Sequence, residues 1–216
     1  MNLLDRQLRE GRMLAKLPQY KRTLNKAITS IERMFQKSPQ SYVTLSWGKQ
    51  SIIVAHMVFQ CAPKTPCVHW SNKNAELFAD FTATRDLFIK RFPLNYIEFP
   101  EGDTDLQGNG QRYLQENELT GVFMGLAAEE SKGRKYTLKG GQETIRQYKN
   151  GTWRCCPLAA WNTLDLAAYI VTHDLPLLSP YRRYGLEMRT STGATPGSHS
   201  ERGLDFLSST QRRELQ

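Results

Sequence analysis

The sequence predicts an α/β protein: an open, mainly parallel sheet with helices on both faces, preceded by a basic helical appendage. Three observations carry this. Short apolar strands alternate with helical segments between Tyr42 and Gly125, the pattern of a parallel sheet joined by crossover helices. Apolar side chains between Tyr20 and Phe35 recur at three- and four-residue spacing. The chain has 216 residues, enough for one sizeable core.

Residues 3–16 read as a helix, and Pro18 suits the first turn of a second. Tyr20, Leu24, Ala27, Ile28, Ile31, Met34 and Phe35 give that helix one apolar face, opposite Lys21, Arg22, Lys26, Arg33 and Lys37. The appendage can dock on the core, a partner or a nucleic acid. The body, 41–216, starts with strand Tyr42–Leu45, the polar loop Ser46–Ser51 and a buried helix Ile52–Gln60. Strand Pro66–Trp70, helix Asn74–Arg91 and strand Asn95–Phe99 follow. Next come a polar loop Gly102–Gly110, a short helix to Glu118 and strand Gly121–Gly125. Glu143–Tyr148, the Asn150-Gly151 turn and Thr152–Arg154 form a hairpin. Asn162 or Thr163 caps a helix to about Thr172. Residues 190–203, rich in Ser, Thr and Gly, read as a mobile tail. The fold class is Rossmann-like, whose ligands bind beyond the carboxyl ends of the strands. The Ser46–Ser51, His69–Asn74 and Gly125–Arg134 segments meet there.

Composition narrows the function. Mean hydropathy is -0.55, and no run approaches the roughly 18 apolar residues of a membrane span. The N-terminus MNLLDRQLREGR has no apolar signal core, and four cysteines are too few for a disulfide scaffold. A cytoplasmic protein without membrane contact is expected. The net charge of +8 is clustered: nine basic and three acidic residues lie in 1–40, seven and one in 132–154. Such clusters suit polyanions, a nucleotide or a nucleic-acid backbone, and equally suit solvated helix faces.

The loop between the first strand and helix is built like a phosphate cradle. Gly48 allows close backbone approach, Lys49 adds a cation, and Ser46 and Ser51 add hydroxyl donors. Backbone N–H groups and the helix dipole at this point favour an anion. The spacing is not the Walker pattern, and a plain tight turn would look similar.

Ser46-Trp47-Gly48-Lys49-Gln50-Ser51 resembles the PP-loop, S-x-G-K-D-S, of the adenine-nucleotide alpha hydrolase superfamily. More closely, the chain resembles the phosphoadenosine phosphosulfate (PAPS) reductase family over about 41–190. Gly125 to Ser131, with Arg134, is similar to its G-[IL]-R-x-x-E-S-x-x-R. Cys156-Pro157-Leu158-Ala159-Ala160-Trp161, with Asp165, is similar to its P-L-x-x-W segment. Leu175-Pro176 through Pro180-Tyr181, with Gly185, resembles its L-P-x-N-P-x-Y-x-x-G. The resemblance implies ATP, or the sulfonucleotides PAPS or APS, in the strand-end crevice. Ser46, Gly48, Lys49, Gln50 and Ser51 would hold the phosphates, with Trp70 and Ser71 by the adenosine. Gly125 would line the crevice, and Glu130, Ser131 and Arg134 would face the reacting end.

Three departures pull the reading apart. Gln50 stands where the family has Asp, and an amide is a poorer ligand for a hard cation. Ala127 stands where the family has Arg, and cannot clamp a phosphate. No Cys follows Cys156, whereas the family's reductases use a cysteine in a C-terminal E-C-G-L-H motif. Usual thiol-based sulfonucleotide reduction is therefore not expected. Some family reductases bind an iron–sulfur cluster through a Cys-Cys pair plus C-x-x-C. Only Cys155-Cys156 matches, so a cluster is not expected.

Cys61 and Cys67 read as buried packing residues, and His56 as a core histidine. His69, at a strand end, is a contact candidate, while His173 and His199 carry no motif. Glu129 and Glu130 can take a proton or bind Mg²⁺, which is the expected ion with ATP. Glu101, Asp103 and Asp105 read as a solvated acidic loop. The leading function is a PP-loop enzyme that cleaves ATP between its α- and β-phosphates and adenylylates an acceptor for sulfur transfer or nucleic-acid modification. Lys49, Arg134 and Glu130 are its catalytic candidates, and no protein-held metal site is expected. The alternatives are a sulfonucleotide-binding reductase or transferase, and a degenerate nucleotide- or nucleic-acid-binding module. A protein partner or homo-oligomer could supply the functions that Gln50, Ala127 and the missing cysteine leave open.

Overall fold

A computed structural model describes residues 1–71, 78–99 and 108–188. The 190–203 tail and the Glu101, Asp103 and Asp105 loop lie outside the described residues, as does the start of the helix expected from Asn74.

The amphipathic N-terminal segment forms α1 (Leu3–Leu14) and α2 (Pro18–Lys37), with Asn2 capping α1 and Pro18 opening α2. The body alternates as expected: β1 (Ser41–Thr44), α3 (Lys49–Cys61), β2 (Pro66–Trp70), α4 (Phe81–Arg91), β3 (Asn95–Phe99), α5 (Gly108–Glu116) and β4 (Gly121–Phe123). A 3-10 turn, Ala128–Glu130, leads into α6 (Lys132–Thr137), and a second, Lys139–Gly141, follows it. The hairpin strands β5 (Ile145–Gln147) and β6 (Trp153–Cys155) precede α7 (Thr163–His173) and α8 (Pro180–Tyr184). The sheet order is β3-β2-β1-β4-β6-β5, with every pair parallel except β5–β6. The order reverses between β1 and β4, which pair Tyr42 with Val122. That is the switch point at which such sheets open a crevice.

The two faces differ. One carries the main core, where Ile31 and Met34 of α2, Ile53 and Val54 of α3, Phe88 of α4 and Leu166 of α7 pack on Val43 and Phe123. The other is a smaller cluster of Tyr42, Val68 and Val122 under Leu114 of α5. Helices α1 and α2 thus pack onto the body, and α1 lies along α7. Helix α7 begins with a reciprocal cap: the Asn162 side-chain Oδ1 accepts from the Leu164 and Asp165 N–H groups, and the Asp165 carboxylate accepts from the Asn162 N–H. Such a cap stabilises a helix by about 1 kcal/mol.

Several boundaries and placements differ from the sequence reading. Helix α3 starts at Lys49, not Ile52, so Lys49, Gln50 and Ser51 form its first turn rather than a loop. All three are buried although polar, which defeats a boundary placed by polarity. Strand β4 ends at Phe123, before Gly125. Residues 108–110 are helical rather than loop. Cys61, the last residue of α3, is exposed, whereas Cys67 on central strand β2 is buried.

His56 is a core residue as expected. Its Nδ1 lies 2.8 Å from the Tyr169 hydroxyl, and its ring packs against Phe92 and His173. Burial, then the neighbouring His173, lowers its pKa from 6.5 to about 4. The unfolded chain therefore takes up this proton before the folded one does. Stability should be full above about pH 6.5 and fall as pH drops toward about 4. Thermal unfolding midpoints measured across that window should show the fall, and a His56→Phe variant should show a shallower slope.

Candidate functional site

The chain leaves β1 through Leu45 and Ser46 and turns at Trp47, whose φ of 60 is left-handed. Gly48, in extended backbone, caps α3. The turn is anchored from beneath. The Trp47 indole packs edge-on against His69, Phe81, Phe88 and Tyr96. The Ser51 hydroxyl donates to the Gly48 carbonyl (2.9 Å) and accepts from the Ser46 N–H (3.2 Å). Gly125, just beyond β4, crosses this turn so closely that a Cβ there would lie 2.6 Å from the Ser51 nitrogen.

Lys49 is 4% exposed. Its Nζ donates to the Met188 carbonyl (2.8 Å) and lies 3.8 Å from Glu130, while its backbone N–H donates to the Tyr181 hydroxyl (3.0 Å). Glu130 also pairs with the guanidinium of Arg134, one helical turn on. Ser131 caps α6, its hydroxyl accepting from the Arg134 N–H (3.1 Å). The three catalytic candidates Lys49, Glu130 and Arg134 are thus brought into one charged row at the switch point. Sequence reasoning placed Tyr181 in a motif without a partner and missed Met188; both engage Lys49 from more than 130 positions away.

Beside the row lies a cavity of about 220 Å³ lined by Gln50, Ala127, Glu129 and Glu130, by Trp161 and Thr163 at the start of α7, and by Glu187. The Gln50 amide nitrogen is buried with no partner among the described residues. Other expected contacts stand apart from this cavity. Trp70 packs against Tyr42 and Phe99, in the cluster under α5. The Ser71 hydroxyl donates to Glu98 (2.9 Å). Burial would raise the Glu98 carboxyl, but hydrogen bonds from Ser71 and Tyr96 hold it below its ordinary value. His69 does not face an open crevice: its ring is buried and its Nδ1 meets the Leu45 carbonyl (2.8 Å).

No group of three or more metal-ligating side chains occurs among the described residues. Exposed Glu129, at the cavity wall, is the carboxylate that could hold Mg²⁺ together with nucleotide phosphates, the ion's usual arrangement. Burial raises both thiols of the cysteine pair, Cys156 to about 11, and the Cys155 thiol donates to the Ser30 carbonyl. An iron–sulfur cluster takes four ligands, of which the pair would supply two. No described helix is long and apolar enough to cross a membrane. The two basic segments meet in space, since the Lys37 ammonium sits 4.7 Å over the Trp153 ring at the base of the hairpin.

An open, mainly parallel sheet with a glycine-bearing strand–helix turn at its switch point is a Rossmann-like α/β fold. Solved structures agree. PAPS reductase from Candida auris, in a phosphate complex, matches with a TM-score of 0.54 and 13% identity over 78% of this chain and 85% of that one. FMN adenylyltransferase from Candida glabrata matches with a TM-score of 0.60 and 14% identity, over 82% and 66%. The U34-tRNA thiolase NcsA from Methanococcus maripaludis, with its [4Fe-4S] cluster, matches with a TM-score of 0.52 and 12% identity, over 90% and 75%. The fold that the sequence resemblance implied is therefore the fold of this chain. No protein-family model matches, and no curated protein does.

Proposed function

We propose that this chain binds an adenine nucleotide at the β1–β4 switch and cleaves ATP between its α- and β-phosphates. The observation that carries the reading is the meeting of Lys49, Glu130 and Arg134 at the N-terminus of α3. A phosphate oxygen is a stronger acceptor for an ammonium than a neutral carbonyl. Bound nucleotide would thus draw Lys49 from Met188, and the dipole of α3 would add to the attraction. An acceptor oxygen would attack the α-phosphorus as the bond to the bridging β-oxygen breaks, and pyrophosphate would leave with the electron pair. Lys49 and Arg134 would offset its charge, and Glu130 would hold the two cations in place. Ser46, Gly48, Gln50, Ser51, Gly125 and Ser131 would shape the phosphate end, with Trp70 and Ser71 toward the adenosine. Mg²⁺, held by Glu129 and the phosphates, would supply further charge neutralisation. The adenylylated acceptor suits later sulfur transfer in the cytoplasm. A nucleic-acid acceptor would run along the joined basic segments, where Tyr136 and Tyr148 are exposed for base stacking.

Gln50 and Ala127 favour a second reading, binding of ATP or a sulfonucleotide without cleavage. The two separate in one assay. Purified protein is incubated with α-labelled ATP and Mg²⁺, with and without DNA or RNA. AMP or an adenylylated acceptor plus pyrophosphate is expected. Saturable binding of ATP or PAPS with no turnover would replace the first reading by the second, and no binding of either would remove both.

A further inference from the structure

The residues Leu186, Glu187 and Met188 form a strap between the N-terminal helix and the phosphate turn. On one side the strap holds Lys49, through the Met188 carbonyl. On the other it is held by Gln7 of α1, which is 4% exposed. The Gln7 amide oxygen accepts from the Leu186 N–H (2.8 Å), and its amide nitrogen donates to the Glu187 carboxylate (2.8 Å). One buried amide thus fixes two successive strap residues, and the third meets the lysine. The approach is made possible by Gly185, with φ +71. A Cβ there would sit 2.6 Å from a Leu3 methyl and 2.8 Å from the Gln7 oxygen. Tyr181, at the other end of the same segment, accepts from the Lys49 backbone N–H.

We infer that Gln7 is a positioning residue for the phosphate site: the N-terminal helix sets where Lys49 stands, through the strap. This rests on the nucleotide reading for its functional consequence, but not for the physical coupling. A lysine side chain that loses the strap would move toward Glu130, already 3.8 Å away. Lys49 would then be held by Glu130 without the strap, more open to solvent and displaced from the position in which it meets an incoming phosphate.

Two readouts keep the coupling and the function apart. The first is acylation of Lys49 by acetic anhydride, read by mass spectrometry. Lys49 should be protected in the native chain and labelled several-fold faster in Gln7→Met, with labelling of exposed lysines such as Lys21 unchanged. The second is binding of ATP against adenosine. Gln7→Met should weaken ATP by about tenfold, the worth of one charge-assisted hydrogen bond, and leave adenosine unchanged. A general loss of stability would weaken both. The double variant Gln7→Glu with Glu187→Gln exchanges donor and acceptor across the same bond. It should restore protection and ATP affinity. Unchanged Lys49 labelling in Gln7→Met, or no rescue by the exchange, overturns the inference. If the native chain binds no ATP while labelling responds as stated, the nucleotide reading fails and the coupling stands.

Discussion

Replacing Lys49 by Met should lower turnover of ATP by 10²–10³-fold, the usual cost of removing one fixed donor from a developing oxyanion. The fold should survive the change. Glu130 keeps Arg134 as its partner, so its carboxylate is not stranded without a cation. The thioether chain also refills most of the volume of the lysine stem in a position that is 4% exposed. The Met188 carbonyl loses its donor, a cost of about 1–3 kcal/mol if no water replaces it. Thermal unfolding and ATP turnover measured on the same preparation separate these terms. A folded variant that binds and turns over ATP as the native chain does would remove Lys49 from the phosphate site, and with it the assignment of the turn.

Much of this site was readable in the chain because its signals are local. The bounds of β2 and β3 coincide with the expected ones: β2 is a short run closed by Thr65 and Ser71, and β3 lies between Pro93 and Pro100, which break the pattern on either side. The Asn150-Gly151 hairpin and the Asn162 cap follow from turn and capping chemistry that acts within a few residues. The gathering of the β1 and β4 loops follows from sheet order alone. What stayed hidden is long-range and polar. Gln7 meets Leu186 and Tyr181 meets Lys49 across most of the chain, and no periodicity encodes such pairs. Polarity misplaced the start of α3 for a related reason: Lys49 is held by distant Tyr181 and Met188, and Gly125 crosses closely over Gln50 and Ser51. His69 was expected to face the crevice from its strand-end position, but the Trp47 side chain turns inward and closes an aromatic cluster around it.

The second large effect should come from the smallest change, Gly125→Ala. The added methyl would lie 2.6 Å from the Ser51 nitrogen, 2.7 Å from the Gln50 carbonyl carbon and 2.9 Å from its oxygen. All three are backbone atoms in the first turn of α3, so no side chain can swing aside. Two terms oppose each other. Loss of glycine's freedom in the unfolded chain stabilises by about 0.4–1 kcal/mol. Overpacking a close contact costs about 1–3 kcal/mol, and more where backbone must move. The second wins, and the net loss should be about 2 kcal/mol. Because the strand–helix turn has to open, ATP affinity should fall by more than the stability loss alone would give. Gly133 supplies the control. A Cβ there meets only the Ser131 hydroxyl, at 4.0 Å, and alanine raises helix propensity in α6. Gly133→Ala should therefore leave the unfolding midpoint unchanged or raised. Equal midpoints for Gly125→Ala and the native chain would mean that α3 and the β4 loop do not close on each other as described, and the phosphate site would lose the contact that shapes it.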